Sequence, residues 1–279
     1  MTNKELKALV SLLDDDDREI IAHVEEKISS LGEAIIPFLE NEWENNLNPV
    51  VQGRIEDLIH TLQFDLLKDK LLNWFREESG DLLKGMWLVA SYQYPDLEFA
   101  KLKQDIEQLY YEAWLEFKPD GHPHDQIKIL NSVLFNKLKF AANTKNFHSP
   151  SNSMINCVLE SKKGNPISLC VIYLLVAQKL KLPVHGVNLP NLFILTFKDP
   201  NYKQFYINAF NRGLIFSRED IENYIGELRL TPQKMFFEPC DNKEIIKRSL
   251  RNLIQSFEKI GDHAKEEEVK ELLNYVAQS

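Results

Sequence analysis

Cysteine is scarce in this chain: Cys157, Cys170 and Cys240 are the only three in 279 residues. They are scattered without CxxC spacing, which argues against a disulfide framework and against a cysteine-based zinc site. A long basic run is also missing, and the formal net charge is −9, a balance that opposes nucleic acid and anionic membranes as partners. The beginning, MTNKELKALVSLLDDDDREI, lacks an apolar signal core and meets four aspartates early, so a cytoplasmic protein without an export signal is expected. No apolar run reaches the roughly 18 to 20 residues of a membrane span. With 44% hydrophobic and 27% charged residues, the rest describes an ordinary soluble chain, long enough for one large or two modest domains.

What the chain does have is one strongly apolar stretch, from Ile167 to Ala177, in which the polar groups are the Ser168 hydroxyl, the Tyr173 phenol and the Cys170 thiol. Asn165 and Pro166 supply an N-cap and an N1 proline, and Lys179 and Lys181 close the segment. The pattern predicts a central helix from Pro166 to Lys181, about 24 Å long and buried on all sides.

Residues 1–117 read as helices. Ile21, Val24, Ile28 and Leu31 make one apolar stripe ending near Gly32, and Pro37 opens the next helix. Asn48-Pro49 opens another, with Val51, Ile55, Leu58 and Leu62 at helical spacing. Further apolar sets follow at Leu67, Leu71, Trp74 and Phe75, and at later positions through Leu109. Trp74, Trp87 and Trp114 are expected in the core. The segment SLLDDDDREIIAHVEEKISSLGEAIIPFLENEW resembles one HEAT-type helical pair, without clear further copies at a ~40-residue period, so an irregular HEAT-like helical region is expected.

KPDGHPHDQ, residues 118–126, reads as a solvated junction. His122, His124 and Asp125 lie there, but a Pro-rich loop gives them no rigid frame and no third ligand is evident, so neither metal nor cofactor is expected. After it, Ile127, Leu130, Val133, Leu134 and Leu138 keep helical spacing, and MINCVLESKKG reads as a short helix closed by Gly164. Beyond the central helix, VHGVNL, LFILTF and KQFYINAF read as antiparallel strands, with turns at Pro190-Asn191, at DPNY and at NRG. Ser217 with Asp220 three residues on marks another helix start. The last forty residues form two amphipathic helices joined at Gly261-Asp262, an arrangement that resembles a single tetratricopeptide-like hairpin.

The middle segment carries a more specific pattern: NSxxxxVLE, then GxPISLxxxYLxxAxxLxLPVxGVxLP, then a strand and a YIxxFN turn. Over roughly residues 127–225 it resembles the transglutaminase-like family named after the invasion regulator Sir-B. The resemblance implies an α+β fold with a transglutaminase/papain-like core, in which a central helix packs on a small antiparallel sheet. Three regions are expected: a HEAT-like helical domain at 1–117, that core at 118–239, and a helical hairpin at 240–279.

The resemblance also implies where a nucleophilic cysteine, a histidine and an aspartate would stand. A helix N-terminus stabilises a thiolate, the histidine moves the proton and the carboxylate orients the imidazole. Carried onto this chain, the cysteine position falls on Pro166 in GNP, the histidine on Leu192 in PNL and the aspartate on Asn208 in YINAF. None of the three can perform its part, and losing members of such a unit costs several orders of magnitude in rate. The expectation is a pseudoenzyme that binds an unidentified protein or peptide. Two other readings are open: a hydrolase or amide transferase with relocated residues, Cys170 and His185, and a structural adaptor working through its helices. Cys170 lies in the most apolar run, where a packed thiol is the simpler reading, and for Ser168 a local hydrogen bond to the helix's own backbone is the simpler reading.

Overall fold

Every residue from Ile167 to Ala177 is buried. The computed structural model describes residues 1–277, and contacts divide the chain into two units, Met1–Lys70 and Leu71–Ser279.

The first unit contains α1 (Asn3–Ser11), α2 (Arg18–Ser29), α3 (Ile36–Asn45) and most of α4 (Pro49–Asn73). Thr2 and Glu5 cap α1 reciprocally, and the Asp17 carboxylate accepts from Glu19 N–H at the start of α2. The apolar stripes close on one another in a core containing Leu13, Val24, Ile28, Leu39, Ile55 and Leu58. Pro37 stands in the first turn of α3, where its missing N–H has no helical partner to lose. Because α4 continues to Asn73, the apolar sets at Val51–Leu62 and Leu67–Leu71 share one helix, which ends in a wider π turn over Trp74–Glu78.

The second unit begins with α5 (Leu82–Ser91), α6 (Phe99–Trp114) and α7 (Pro123–Asn131). Both α5 and α6 pack on the central helix α9 (Pro166–Lys179). The tryptophans behave differently from one another. Trp74 is fully buried and donates its indole N–H to Asp81 O at 2.8 Å. Half-buried Trp87 donates to Leu97 O at 2.6 Å. Trp114, expected in the core, is 55% exposed. The buried stripe of α6 is Leu102, Ile106, Leu109 and Ala113, and Trp114 stands one residue, about 100° of helix, away from it.

The stretch read as a linker is in part helical. His122 caps α7, its ring nitrogen accepting from His124 N–H at 3.3 Å, and Pro123 is the first helical residue. The His124 ring stacks on Phe205 with centroids 4.3 Å apart. A short parallel pair, β1 (Ala141–Ala142) with β2 (Lys163–Gly164), brackets α8 (Ile155–Ser161). Helix α8 is closed by Lys162 at φ 58°, and not by Gly164 as the sequence suggests. Gly164 answers a different need: a Cβ there would run into the Ser168 hydroxyl at the start of α9.

An antiparallel sheet of order β3-β4-β5-β6 follows, from β3 (Val184–Leu189), β4 (Leu192–Phe197), β5 (Phe205–Asn208) and β6 (Leu214–Phe216). The β3–β4 hairpin turns on Pro190-Asn191, with Asn191 in the left-handed region at φ 59°. Ser217 and Asp220 then form the expected reciprocal cap of α10 (Arg218–Glu227). Last come α11 (Asn242–Ile260) and α12 (His263–Ala277), which pack on each other across Gly261 at φ 78°. Helix-rich and carrying small sheets, the protein is of the α+β class.

Candidate functional site

The start of α9 is held shut by its own cap. Asn165 Oδ1 accepts from Ser168 N–H at 2.9 Å, and Ser168 Oγ accepts from Asn165 N–H at 3.0 Å. Asn165 Nδ2 donates to Ser153 Oγ, also at 3.0 Å. Ser168 is thus occupied locally, in keeping with the usual behaviour of a serine near a helix end. Pro166, half-buried at N1, brings neither a nucleophile nor a backbone N–H.

Strand alternation sorts the remaining candidates by face. His185 stands opposite Thr196, Val187 opposite Ile194, and Leu189 opposite Leu192, so these residues share one side of the sheet. That side carries an apolar cluster with Tyr206, and with Ile221 and Ile225 of α10. Leu192 therefore packs toward α10, while its neighbours Asn191 and Phe193 reach the surroundings of Pro166. The other side holds Gly186, Phe193 and Leu195 and receives α9.

Cys170 is fully buried on α9, and its thiol donates to Phe193 O at 3.5 Å. Burial, the main cause, pushes the thiol well above its ordinary range. His185 lies on the α10 side of the sheet, so the strands stand between it and Cys170. His185 is exposed on its strand, and partial desolvation, and secondarily Lys198, lower its pKa. The structure does not bring these two residues together. Asn208, at the end of β5, turns its amide oxygen to Asn211 N–H at 3.1 Å and caps the turn Ala209–Asn211.

In front of Pro166 lies an open cavity of ≈ 250 Å³. Asn165 and Pro166 form its floor, Asn191 and Phe193 of the β3–β4 hairpin one wall, and Phe147 and His148 of the loop before α8 another. The remaining side is α11, which contributes Arg248, Arg251, Asn252, Gln255 and Ser256. These positions repeat at three, four, seven and eight residues and so form one helical stripe. The opposite stripe, Ile246, Leu250, Leu253 and Phe257, is buried. Arg248 also fixes the hairpin, donating to Asn188 Oδ1 at 3.1 Å and to Leu189 O at 3.5 Å. Tyr224 of α10 donates to Pro190 O at 2.9 Å.

A family model described as the transglutaminase-like superfamily matches residues 100–251, from α6 to the middle of α11. The chain belongs to the transglutaminase-like superfamily. A UPF0162 protein of Xylella fastidiosa (strain 9a5c) is 31% identical over 187 residues, which cover 63% of this chain and 65% of that protein. A UPF0162 protein of Vibrio cholerae is 25% identical over 178 residues, covering 62% and 65%. F-box only protein 21 of Mus musculus is 29% identical over 132 residues, which are 45% of this chain and 21% of that protein. The match thus spans just under two thirds of the UPF0162 relatives. No solved structure matches the chain.

Within this superfamily fold, the residues that sequence reasoning passed over are those of α11. The signal was present in RSLRNLIQS, where the polar positions keep the same period as the apolar ones. An amphipathic helix ordinarily turns its polar stripe to solvent, and nothing in the sequence says that this one faces the start of α9, some eighty residues earlier. Among the described residues, no group of three or more His, Cys, Asp or Glu has the arrangement of a metal site. No helix among them is long and apolar enough to cross a membrane.

Proposed function

We propose that this chain is a non-catalytic transglutaminase-like protein, of the Sir-B type, that binds a protein or peptide as a regulatory module. Pro166 carries the reading. It occupies the first turn of the central helix, where the fold would present a nucleophile, and no thiol replaces it, since Cys170 is sealed in the core a turn deeper. Leu192 and Asn208 complete the set of vestigial positions, one packed toward α10 and the other spent on a turn. The cavity before Pro166 remains as a place for a ligand. That a matching segment forms only 21% of F-box only protein 21 supports a domain that works as a module in larger settings.

Around it we place a HEAT-like helical region at 1–117, the core at 118–239 and a tetratricopeptide-like hairpin from 240 onward, with the cytoplasm as the compartment. The test is incubation of the purified protein with a thiol-directed active-site probe and with amide and ester substrates. The expected result is no turnover and no saturable labelling of Cys170. Rapid saturable labelling of that residue together with turnover overturns the proposal.

A further inference from the structure

Arg248 and Arg251 stand three residues apart on the stripe of α11 that faces the cavity. Among the described residues, no Asp or Glu lines that cavity, although the chain has 42 of them. Arg218, by contrast, is paired with Glu222 at 2.9 Å. Among the described residues, the Arg248 guanidinium donates to neutral oxygens, those of Asn188 and Leu189. Burial first, and then the charge of Arg251, lower the Arg248 pKa. Two cations three residues apart at the mouth of a polar cavity are relieved by an anion. At the start of α9, Pro166 has no N–H and the N–H groups of Asn165 and Ser168 are taken by the cap.

The other groups narrow the anion's identity. Asn191, Asn252 and Gln255 offer side-chain amides, each both donor and acceptor. A phosphate or sulfate has little use for acceptors, whereas a peptide backbone uses both. Phe147 and Phe193 add apolar surface for a side chain. The volume, ≈ 250 Å³, falls below the roughly 300 to 1,000 Å³ of a site for a drug-sized ligand, and suits the end of a chain better than a cofactor. Phe147, His148, Asn191, Arg251 and Gln255 are exposed at the rim, so the rest of a chain has a way out.

We propose that this cavity receives the C-terminal carboxylate of an extended peptide, clamped between Arg248 and Arg251. The inference rests on the peptide-binding reading above and specifies it.

The test uses the full-length protein and a degenerate tetrapeptide pool prepared with free C-terminal carboxylates and, separately, as C-terminal amides. Retention is read by equilibrium dialysis and mass spectrometry, with inorganic phosphate as a third probe. Free acids are expected to be retained about tenfold better than amides, and Arg251→Gln to lose about that factor, in line with a charge-assisted hydrogen bond. Arg251→Lys should recover part of it, and both variants should melt with the native protein because Arg251 is exposed. Equal retention of acids and amides, undiminished retention in Arg251→Gln, or no retention of either pool overturns the carboxylate site. Retention of phosphate without the peptides overturns it in favour of an inorganic-anion site. If acids are preferred but emerge cleaved or cross-linked, the carboxylate site stands and the non-catalytic reading falls.

Discussion

The Tyr173 hydroxyl donates a hydrogen bond to Asn131 Oδ1 at 3.0 Å, and Asn131 Nδ2 in turn donates to Gly213 O at 2.7 Å. One side chain thus joins the middle of the central helix to the end of α7 and to the turn before β6. The phenol is fully buried, and burial raises its pKa well above the usual range, so it remains a neutral donor. Tyr173→Phe leaves a half-buried acceptor short of a partner and should lower stability by about 1 kcal/mol, and Asn131→Ala by more, since two bonds are lost. Urea midpoints check the order. Equal effects of the two substitutions would show that Asn131 does not act as a bridge.

Gly213 and Gly226 predict opposite signs. Gly213 has φ 76°, and a Cβ added to it would land on the Asn131 side chain. Gly213→Ala should therefore cost about 1 to 3 kcal/mol through crowding and backbone strain. Gly226 lies in α10, and a Cβ there would meet nothing within 4 Å. Gly226→Ala should stabilise by about 0.5 to 1 kcal/mol. Thermal melts of the two variants decide it: a destabilised Gly226→Ala contradicts the open space at that site.

The cap of α9 should matter more than an exposed cap, because Asn165 and Ser168 are both buried. Asn165→Ala removes the bonds to Ser168 N–H and to Ser153 and should cost about 2 kcal/mol, the upper end for caps. Asn165→Asp keeps the acceptor but puts a charge where Nδ2 stood. It should lie between native and alanine in denaturant midpoint at pH 7. A midpoint below that of Asn165→Ala would show that the charge outweighs the cap.

Alkaline stability should depend on two thiols, buried Cys170 and half-buried Cys240. Burial pushes Cys170 well above the ordinary 9.0, and burial, with Asp241 adding, pushes Cys240 up to about 12. A folded-state pKa above the unfolded value favours the protonated native form. The contribution is therefore complete below pH 9 and is lost as the pH rises above it, because the unfolded thiols ionise first. The slope is about 1.4 kcal/mol per pH unit for each thiol in this window. Denaturant midpoints between pH 8 and 10 should fall less steeply in Cys170→Ala than in the native chain. Identical slopes would remove Cys170 from the account.

Much of the local structure was legible because its causes are short-range. GNP announces a capped helix with proline at N1, SRED a reciprocal cap, PN a hairpin turn, and the run from Ile167 to Ala177 a helix with no face for water. The misreadings share one feature, a residue whose use depends on something distant. General burial preferences put Trp114 inside, yet the stripe of α6 that meets α9 passes beside it. Gly164 was expected to close a helix, yet it serves the approach of Ser168.

The same boundary runs through the candidate site. The amino-acid sequence by itself determined that Pro166 begins the central helix without a nucleophile, since a proline there has no thiol and no N–H under any packing. Only the tertiary structure decided the rest. Strand register put His185 and Leu192 on the α10 side and Phe193 on the other, because adjacent strand positions point to opposite faces. Helix packing brought Arg248 and Arg251 to the mouth of a cavity at Pro166, because α11 buries its apolar stripe in the core and its polar stripe must then face whatever stands beside it.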